Sequence, residues 1–221
     1  MKNKNIIVAR NLIRCLDLDS LRNAEVVANL VRCFGIVAWP QSTGPEMQFI
    51  VPVGIAQTPQ QIAKALVYVS QFKITSFCEI GVMHGGNFLF CSEYLRRFNS
   101  NIRCIGIDPA DCLDPEIREI IEKEVWLSFK FSTSDEIAGM IFDLIFIDGD
   151  HTMPWLVRDW ENVGRLSKIC AFHDLQEPTC PDVAVFWEIL NGENKEKFEF
   201  LDDPSGRKIH GIGIIHAKGI E

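Results

Sequence analysis

The chain alternates short, continuous apolar runs with segments whose apolar residues recur at helical spacing. Continuous runs are typical of buried parallel strands, and residues three or four apart are typical of amphipathic helices. Strands are predicted at residues 74–80, 103–107, 125–131, 144–147, 169–173, 198–201 and 211–216. Helices are predicted within 12–33 and at 58–71, 114–124, 154–166 and 181–190. A further helix is predicted after the first strand, and it ends at about residue 97.

This order predicts an α/β fold with a doubly wound, mostly parallel seven-stranded sheet. The last two strands flank the turn-forming residues 202–206, which predicts a C-terminal antiparallel hairpin. Residues 1–57 lack the alternation, so we predict an N-terminal helical cap or lid over 1–57 and an α/β domain over 58–221. The alternative for 1–57 is a packing extension of the domain. The same region is a candidate surface for a homo-oligomer.

Two segments carry signals for the start of a helix. Thr58 precedes Pro59, and Gln61 has the spacing of a capping box, in which the first and fourth side chains bond the opposite backbone N–H groups. Thr133 and Glu136 have the same spacing, which predicts a short helix there.

Composition and charge narrow the choice of partners. The chain has 221 residues, 47% of them hydrophobic, and a net charge of −8 with no run of Lys and Arg. Nucleic-acid and acidic-membrane binding need a basic patch, so neither is predicted. Eight cysteines occur without any C-x-x-C pair, which favours reduced thiols and a cytoplasmic location. No apolar run is long enough for a membrane span or signal peptide.

Acidic and imidazole side chains follow two of the predicted strands. Asp148, Asp150 and His151 come after the strand at 144–147, and the strand at 169–173 ends in His173, followed by Asp174. Parallel strands bind ligands at their carboxyl ends, so these side chains are expected to form one site.

A glycine-rich turn follows the first strand. The sequence EIGVMHGG spans residues 79–86, and its G-x-x-x-G-G spacing differs from the G-x-G-x-x-G of dinucleotide folds. The second strand ends at Asp108, where a carboxylate can accept hydrogen bonds from both ribose hydroxyls. Together they favour a nucleoside over a dinucleotide, although a glycine-rich turn alone fits either ligand or none.

Three motifs in this order, EIGVMHGG, then IDGDH at 147–151, then FHD at 172–174, carry a resemblance to a known family. Over about residues 58–217 the chain resembles class I S-adenosylmethionine-dependent methyltransferases. Within them it is similar to the small-molecule (sugar and natural-product) O-methyltransferases and cephalosporin-hydroxylase-like proteins. The resemblance implies a Rossmann-like methyltransferase fold and a set of cofactor-binding residues: Glu79, Gly81, Gly85, Gly86, Asp108, Ser134 (or its neighbour Thr133) and Asp148.

The resemblance also implies roles at the reacting end of the site. Metal-dependent relatives place an Asp at the position of Asp148 and an acidic pair at His173 and Asp174, so these three are the predicted metal ligands. Two carboxylates favour Mg²⁺, and the added imidazole moves the preference toward Mn²⁺, Fe²⁺ or Zn²⁺. Histidine at the position of His151 is the general base in the sugar enzymes, and Asp148 contributes to catalysis beside it.

Several of these residues have simpler interpretations. His173 is equally interpreted as a residue that orients Asp148, and His151 as one that caps the next helix or bonds Asp150. Thr133 and Ser134 are equally explained as helix caps. His84 is interpreted as a loop residue, while His210 and His216 receive no role.

The predicted function is methyl transfer from S-adenosylmethionine to a hydroxyl of a small molecule, assisted by a divalent metal (Mg or Mn). Alternatives are a methyltransferase-fold module that has lost its chemistry and, with less support, a nicotinamide-dependent oxidoreductase. The relatives enter the fifth strand through Pro-Gly-Gly, whereas residues 166–170 read LSKIC, which predicts a tighter turn and a displacement of His173 and Asp174. The cap with Trp39 and the loop 175–179 are the expected acceptor-recognition surface.

Overall fold

The computed structural model describes residues 4–37, 51, 53–190, 195–202, 206 and 208–219. Within them the helices are α1 (Lys4–Cys15), α2 (Leu18–Leu21), α3 (Ala24–Phe34), α4 (Pro59–Val69), α5 (Gly86–Phe98), α6 (Pro115–Lys123), α7 (Met153–Asn162) and α8 (Pro181–Ile189). The strands are β1 (Ser76–Ile80), β2 (Arg103–Asp108), β3 (Leu127–Phe131), β4 (Leu144–Ile147), β5 (Ile169–Phe172), β6 (Lys195–Phe200) and β7 (Ile212–Ala217). Short 3-10 helices cover Ser134–Ile137 and Gly164–Leu166.

All seven strands lie in one sheet, in the order β3-β2-β1-β4-β5-β7-β6. Strands β1 to β5 pair in parallel, and β7 pairs antiparallel with both β5 and β6. The predicted doubly wound, mostly parallel sheet with a C-terminal antiparallel hairpin is therefore confirmed.

The register of the sheet brings the strand ends to one level. Ile80 of β1 pairs with Ile107 of β2 and with Ile147 of β4, and Ile147 pairs with Phe172 of β5. The backbone continues this alignment, because the N–H of Asp148 donates to the carbonyl of Ile80 at 2.9 Å. The residues that follow these strands consequently emerge at the same edge of the sheet.

The entry into β5 keeps that register. The predicted helix at 154–166 is divided: α7 ends at Asn162, and a 3-10 helix over Gly164–Leu166 completes the turn. The N–H groups of Lys168 and Ile169 then donate to the carbonyls of Phe142 and Asp143, both at 3.0 Å. β5 therefore joins β4 in line, and its end lies beside Asp148.

The capping-box predictions are wrong. Thr58 and Thr133 make no side-chain capping bond, although Pro59 does occupy the first turn of α4 as expected. Gln61 is fully buried, and its amide donates to the carbonyl of Ile209 (3.2 Å) and accepts from the N–H of Gly211 (3.0 Å). A tertiary contact with the segment before β7 thus replaces the local one.

The N-terminal helices share a hydrophobic core with the domain. Ile6, Ile13 and Phe34 are fully buried in the same cluster as residues of α4 and α5. Arg10 also forms ion pairs with Glu93 of α5 and with Glu124 beyond α6. The boundary between residues 57 and 58 stays a prediction, and Trp39 with the loop 39–45 lies outside the described residues.

The strand cysteines behave as small hydrophobic residues. Cys78, Cys104 and Cys170 are buried and free. Burial raises the pKa of Cys104 to about 12, which keeps this thiol protonated. None of the helices in the described part of the chain has the length and apolar character needed to cross a bilayer. The cytoplasmic location stays a prediction.

A carboxylate before β4, that of Asp143, joins the amino ends of β1, β4 and β5. Asp143 is 7% exposed, and its Oδ2 accepts hydrogen bonds from the backbone N–H groups of Thr75 (2.7 Å) and Ser76 (3.2 Å). Its Oδ1 pairs with the Nζ of Lys168 at 2.6 Å. This contact explains why β1 begins at Ser76 and not at the predicted residue 74, since the backbone there serves the carboxylate. Burial opposes its ionisation, but Lys168 and Thr75 hold the pKa of Asp143 below its usual value.

Replacing Asp143 by alanine is expected to lower the free energy of unfolding by roughly 2–3 kcal/mol at pH 7, because two buried N–H groups lose a charged acceptor. The folded-state pKa is depressed, so this contribution is present at neutral pH and is lost as the pH falls through that pKa. Urea unfolding at pH 7 and in acid measures both effects. Asp202→Ala, which removes an exposed partner of Lys64, is the matched control and should change little. Equal losses in the two variants would contradict the assignment.

Candidate active site

A cavity of about 620 Å³ opens at the carboxyl edge of the sheet. This volume is in the range of small-molecule sites, which is roughly 300–1,000 Å³. The lining comes from the ends of β1, β2, β4 and β5, from Val37, Gly54 and Ala56 of the N-terminal region, and from the segment 177–180 with His210. The predicted strand-end residues therefore meet in one cavity.

The glycines of the turn after β1 let other backbones approach. Gly81 has φ +86°, and a Cβ there would lie 2.1 Å from the carbonyl oxygen of Asp148. A Cβ on Gly86 would lie 1.8 Å from the carbonyl oxygen of Gly54. Gly85 precedes α5 in the left-handed conformation, with φ +89°. Glycine at 81 and 86 is thus required for the cavity wall to close, whichever ligand it holds.

Glu79 places a buried carboxyl group at the base of this wall. It is 1% exposed, and its Oε2 accepts a hydrogen bond from the amide of Asn87 at 3.2 Å. Burial and the nearby charge of Asp148 raise the pKa of Glu79 well above its usual value. These surroundings therefore favour the neutral form of Glu79 more than water favours that of an exposed glutamate.

Asp108 fixes the loops on either side of the cavity. Its Oδ2 accepts from the N–H of Met83 at 2.8 Å, and its Oδ1 accepts from the N–H of Ala110 at 2.7 Å. Each carboxylate oxygen has a further lone pair, so the side chain can still accept bonds from a ligand in the cavity that it lines.

Ser134 is placed differently. It is buried, and among the described residues it does not line the cavity. Its hydroxyl donates to Asp159 of α7 at 2.6 Å and accepts from the amide of Asn162 at 3.0 Å. These bonds give Ser134 a structural role between the 3-10 helix and α7, and its assignment to the adenine stays a prediction.

The reacting end contains four side chains that we call the inner cluster: Asp148, His151, His173 and Asp174. The Oδ1 of Asp148 lies 3.0 Å from the Nδ1 of His173 and 3.3 Å from the Nε2 of His151. Asp174 faces the same two rings, with its Oδ1 3.1 Å from His173 and its Oδ2 3.5 Å from His151. Two carboxylates and two imidazoles thus surround one point.

The charges of the inner cluster support one another. Burial disfavours each charge, yet Asp148 raises the pKa of both histidines, and Asp174 adds to this at His173. In return His173 lowers the pKa of Asp148 and of Asp174. The contacts between imidazole and carboxylate groups therefore favour the charged forms of both.

The inner cluster fits a divalent ion. Its ligand atoms all lie within 4.8 Å of one another, and the closest pairs are 3.0–3.5 Å apart. Neighbouring ligands of one ion at about 2.1 Å are themselves about 3.0–3.4 Å apart, so little movement is needed. A mixed set of carboxylates and imidazoles suits Mn²⁺, Fe²⁺ or Zn²⁺.

Two further side chains hold the inner cluster in place, and the sequence interpretation missed both. The amide of Gln57 donates to the Oδ2 of Asp148 at 2.8 Å, and Gln57 is 2% exposed. The Sγ of Cys180 lies 3.4 Å from the Nδ1 of His151. Such partners orient metal-ligating groups. Neither residue lies at a strand end, so the strand pattern carried no signal for them.

The remaining residues considered in the sequence differ in their position relative to the cavity and in their hydrogen-bond partners. Asp150 accepts from the N–H of Thr152 at 2.9 Å and so helps to begin α7. His84 bonds the carbonyl of Cys112 in a loop, as interpreted. His216 bonds Tyr68 on the outer side of the sheet. His210, to which the sequence interpretation gave no role, lines the cavity and lies 3.3 Å from Asp174.

Comparison with known proteins supplies structural likenesses only. No family model matches the chain, and no curated protein matches it. Among solved structures, the Bacillus cereus O-methyltransferase in complex with S-adenosylhomocysteine is 14% identical, with a TM-score of 0.56 over 99% of this chain and 100% of that one. The O-methyltransferase TomG from Streptomyces achromogenes, involved in tomaymycin synthesis and in complex with S-adenosylmethionine, is 16% identical, with a TM-score of 0.55 over 78% and 86%.

A third structure shows how widely this fold is used. An rRNA methylase from Streptococcus thermophilus is 5% identical, with a TM-score of 0.55 over 73% of this chain and 97% of that one. The chain therefore has the fold of class I S-adenosylmethionine-dependent methyltransferases. Because proteins of this fold act on different acceptors, the acceptor has to be inferred from the site itself.

Proposed function

We propose that this protein transfers a methyl group from S-adenosylmethionine to a hydroxyl of a small molecule, with a divalent cation at the inner cluster. One observation carries the proposal: the inner cluster opens into the same cavity as Glu79 and Asp108. A cofactor half and an acceptor half thus adjoin, as a transfer between two bound molecules requires.

The cofactor half would be formed by the ends of β1 and β2. Asp108 offers a carboxylate for two ribose hydroxyls, and Glu79 offers a second acid to a positively charged ligand. S-adenosylmethionine supplies a methyl group on a sulfonium. A bound cation would favour the ionised form of Glu79, whose raised pKa reflects burial beside Asp148.

The acceptor half would be formed by Asp148, His173 and Asp174 as cation ligands, with His151 as the general base. A divalent ion there supplies Lewis acidity, which lowers the pKa of an acceptor hydroxyl. His151 would take the proton at Nε2, and its contact with Cys180 at Nδ1 keeps the ring in one orientation. Asp148 stabilises the imidazolium that results, since it already raises the pKa of His151.

The expected acceptor is a small hydroxylated molecule. No Lys or Arg occurs among the described residues that line the cavity, so these residues provide no ammonium or guanidinium group to pair with a phosphate backbone. The net charge of −8 supports the same exclusion of nucleic acid and acidic membranes. We retain a cytoplasmic location as part of the proposal.

Formation of S-adenosylhomocysteine from S-adenosylmethionine, measured with a panel of catechols, sugars and phenols, tests the activity. Turnover that depends on acceptor and falls after EDTA treatment is the expected result. Binding of S-adenosylmethionine without turnover across the panel would favour a ligand-binding module instead. Binding of NADH in its place would favour an oxidoreductase.

Gln57→Leu is expected to weaken Mn²⁺ binding by roughly 10–100-fold, because Asp148 loses the amide that orients its Oδ2. S-adenosylhomocysteine affinity should stay within about twofold, since Gln57 is absent from the described residues that line the cavity. Calorimetry with each ligand measures the two effects separately. Gln60→Leu, three residues further along the chain, is the control. Equal Mn²⁺ affinity in parent and Gln57→Leu would exclude this positioning role.

A further inference from the structure

A second group of potential cation ligands lies against the inner cluster. Asp174, Glu177 and His210 each offer a ligand atom, and these atoms all lie within 4.8 Å of one another. We call them the outer cluster. Asp174 belongs to both clusters, and the Nδ1 of His210 lies 3.3 Å from its Oδ1. The rings of His210 and His173 stack with centroids 5.4 Å apart.

The backbone on both sides of the outer cluster is fixed by the fold. The buried amide of Gln61 bonds the carbonyl of Ile209 and the N–H of Gly211, the two residues that flank His210. The carbonyl of His210 accepts from the N–H of Gln176 at 2.6 Å. These bonds join the segment before β7 to the segment after β5, so His210 is held at Asp174.

Glu177 is placed by a turn that starts at Asp174. Its N–H donates to the carbonyl of Asp174 at 3.2 Å, and its own carbonyl accepts from the N–H of Cys180 at 2.9 Å. Its Oε1 accepts from the hydroxyl of Thr179 at 3.0 Å. Among the described hydrogen bonds, the carboxylate of Glu177 accepts only from Thr179. Its other lone pairs are available to a ligand, because the residue lines the cavity.

The charge of the cavity favours more than one cation. Six carboxylic acids line it: Glu79, Asp108, Asp148, Asp150, Asp174 and Glu177. No Lys or Arg is found among the described residues that line the cavity. One divalent ion at the inner cluster would offset Asp148 and Asp174 and would leave the carboxylate of Glu177 without a cation of its own.

We infer that Asp174, Glu177 and His210 form a second divalent-cation site, adjacent to the inner cluster and sharing Asp174 with it. Two carboxylates and one imidazole suit a transition-metal ion such as Mn²⁺. Two divalent ions that share a carboxylate would be able to hold two oxygen atoms of one substrate. The inference goes beyond the proposed methyl transfer, and it rests on that proposal only through the occupancy of the inner cluster.

The number of Mn²⁺ ions bound per chain tests this inference. Full-length protein is freed of metal with EDTA, exchanged into metal-free buffer and titrated with MnCl₂, and the electron paramagnetic resonance signal of free Mn²⁺ reports what is bound. We expect two ions per chain in the parent and one in Glu177→Gln and in His210→Gln. The spin coupling between paired ions should disappear in both variants.

Two controls keep the outcomes distinct. Glu122→Gln removes an exposed carboxylate of α6 and should leave two ions bound. The affinity for S-adenosylhomocysteine, measured in parallel, should change less than about threefold in Glu177→Gln. The reason is that the proposed cofactor half lies at the ends of β1 and β2, and Glu177 does not belong to it. One ion per chain in the parent, or two ions in both outer-cluster variants, would overturn the second site. Two ions with no S-adenosylhomocysteine binding would overturn the proposed function and leave the second site standing.

Discussion

Replacing Asp148 by alanine is expected to remove Mn²⁺ from the inner cluster and to lower the rate of methyl transfer on the order of 10³-fold. Asp148 contacts both imidazoles of the cluster through Oδ1 and Gln57 through Oδ2. Its loss leaves His173, which is 3% exposed, with Asp174 as its remaining carboxylate contact in the cluster. Asp148 thus joins both imidazoles of the inner cluster to the Gln57 amide.

Metal analysis and initial rates measure the two effects of Asp148→Ala. Asp148→Asn keeps the shape of the side chain and should still lose most of the activity, because the charge is what the ion and the imidazoles require. Asp111→Asn, an exposed acid that is absent from the described lining of the cavity, is the matched control. Activity that survives both EDTA treatment and Asp148→Ala would rule out the metal.

Replacing His151 by glutamine is expected to lower the turnover number by roughly 10²–10⁴-fold while Mn²⁺ and S-adenosylhomocysteine still bind. The ring lies between Asp148 and Asp174 at one nitrogen and Cys180 at the other. Burial acts to lower the pKa of His151, but Asp148 and Asp174 raise it above the usual 6.5. A base must be neutral to act, so the parent rate should increase as the pH rises through the pKa that His151 has in the cation-loaded enzyme.

The same variant separates a base from a ligand. If His151 is the fourth metal ligand, His151→Gln loses Mn²⁺ affinity together with activity, and added Mn²⁺ restores part of the rate. If it is the base, saturating Mn²⁺ restores nothing, and the pH dependence assigned to the imidazole disappears. A variant with parent-like rate and parent-like pH profile would remove His151 from both roles.

The strand-end residues were predictable because one physical rule places them. A run such as 144–147, apolar at every position, indicates a strand covered on both faces, and parallel strands end at one edge. Asp108, Asp148 and His173 therefore meet as predicted. The tighter turn expected before β5 does not prevent this, because Lys168 and Ile169 bond the backbone before β4.

Residues placed by tertiary contacts were not predictable in the same way. His210 reaches Asp174 because Gln61 bonds the backbone on both sides of it, over a sequence separation of about 150 residues. The local pattern assigned Gln61 to a capping box instead. Gln57 likewise precedes a helix, and only the folded chain shows that its amide meets Asp148.

The glycine motif is a third case, in which the resemblance implies cofactor binding and the structure shows which backbones the glycines allow to approach. Gly81 and Gly86 lie at the cavity wall as predicted. The close approaches they permit are those of the Asp148 and Gly54 backbones. A pattern of glycines thus indicates that something comes close, and only the structure identifies what does.

Calorimetric titration with S-adenosylhomocysteine tests most directly whether the cavity binds S-adenosylmethionine. The parent should bind one molecule per chain. Asp108→Ala, which removes the carboxylate offered to the ribose, should weaken binding by roughly 10–100-fold. Asp111→Ala, an exposed acid three residues later, should bind like the parent. Absence of S-adenosylhomocysteine binding to the parent, or equal affinity in the parent and in Asp108→Ala, would contradict cofactor binding at this site.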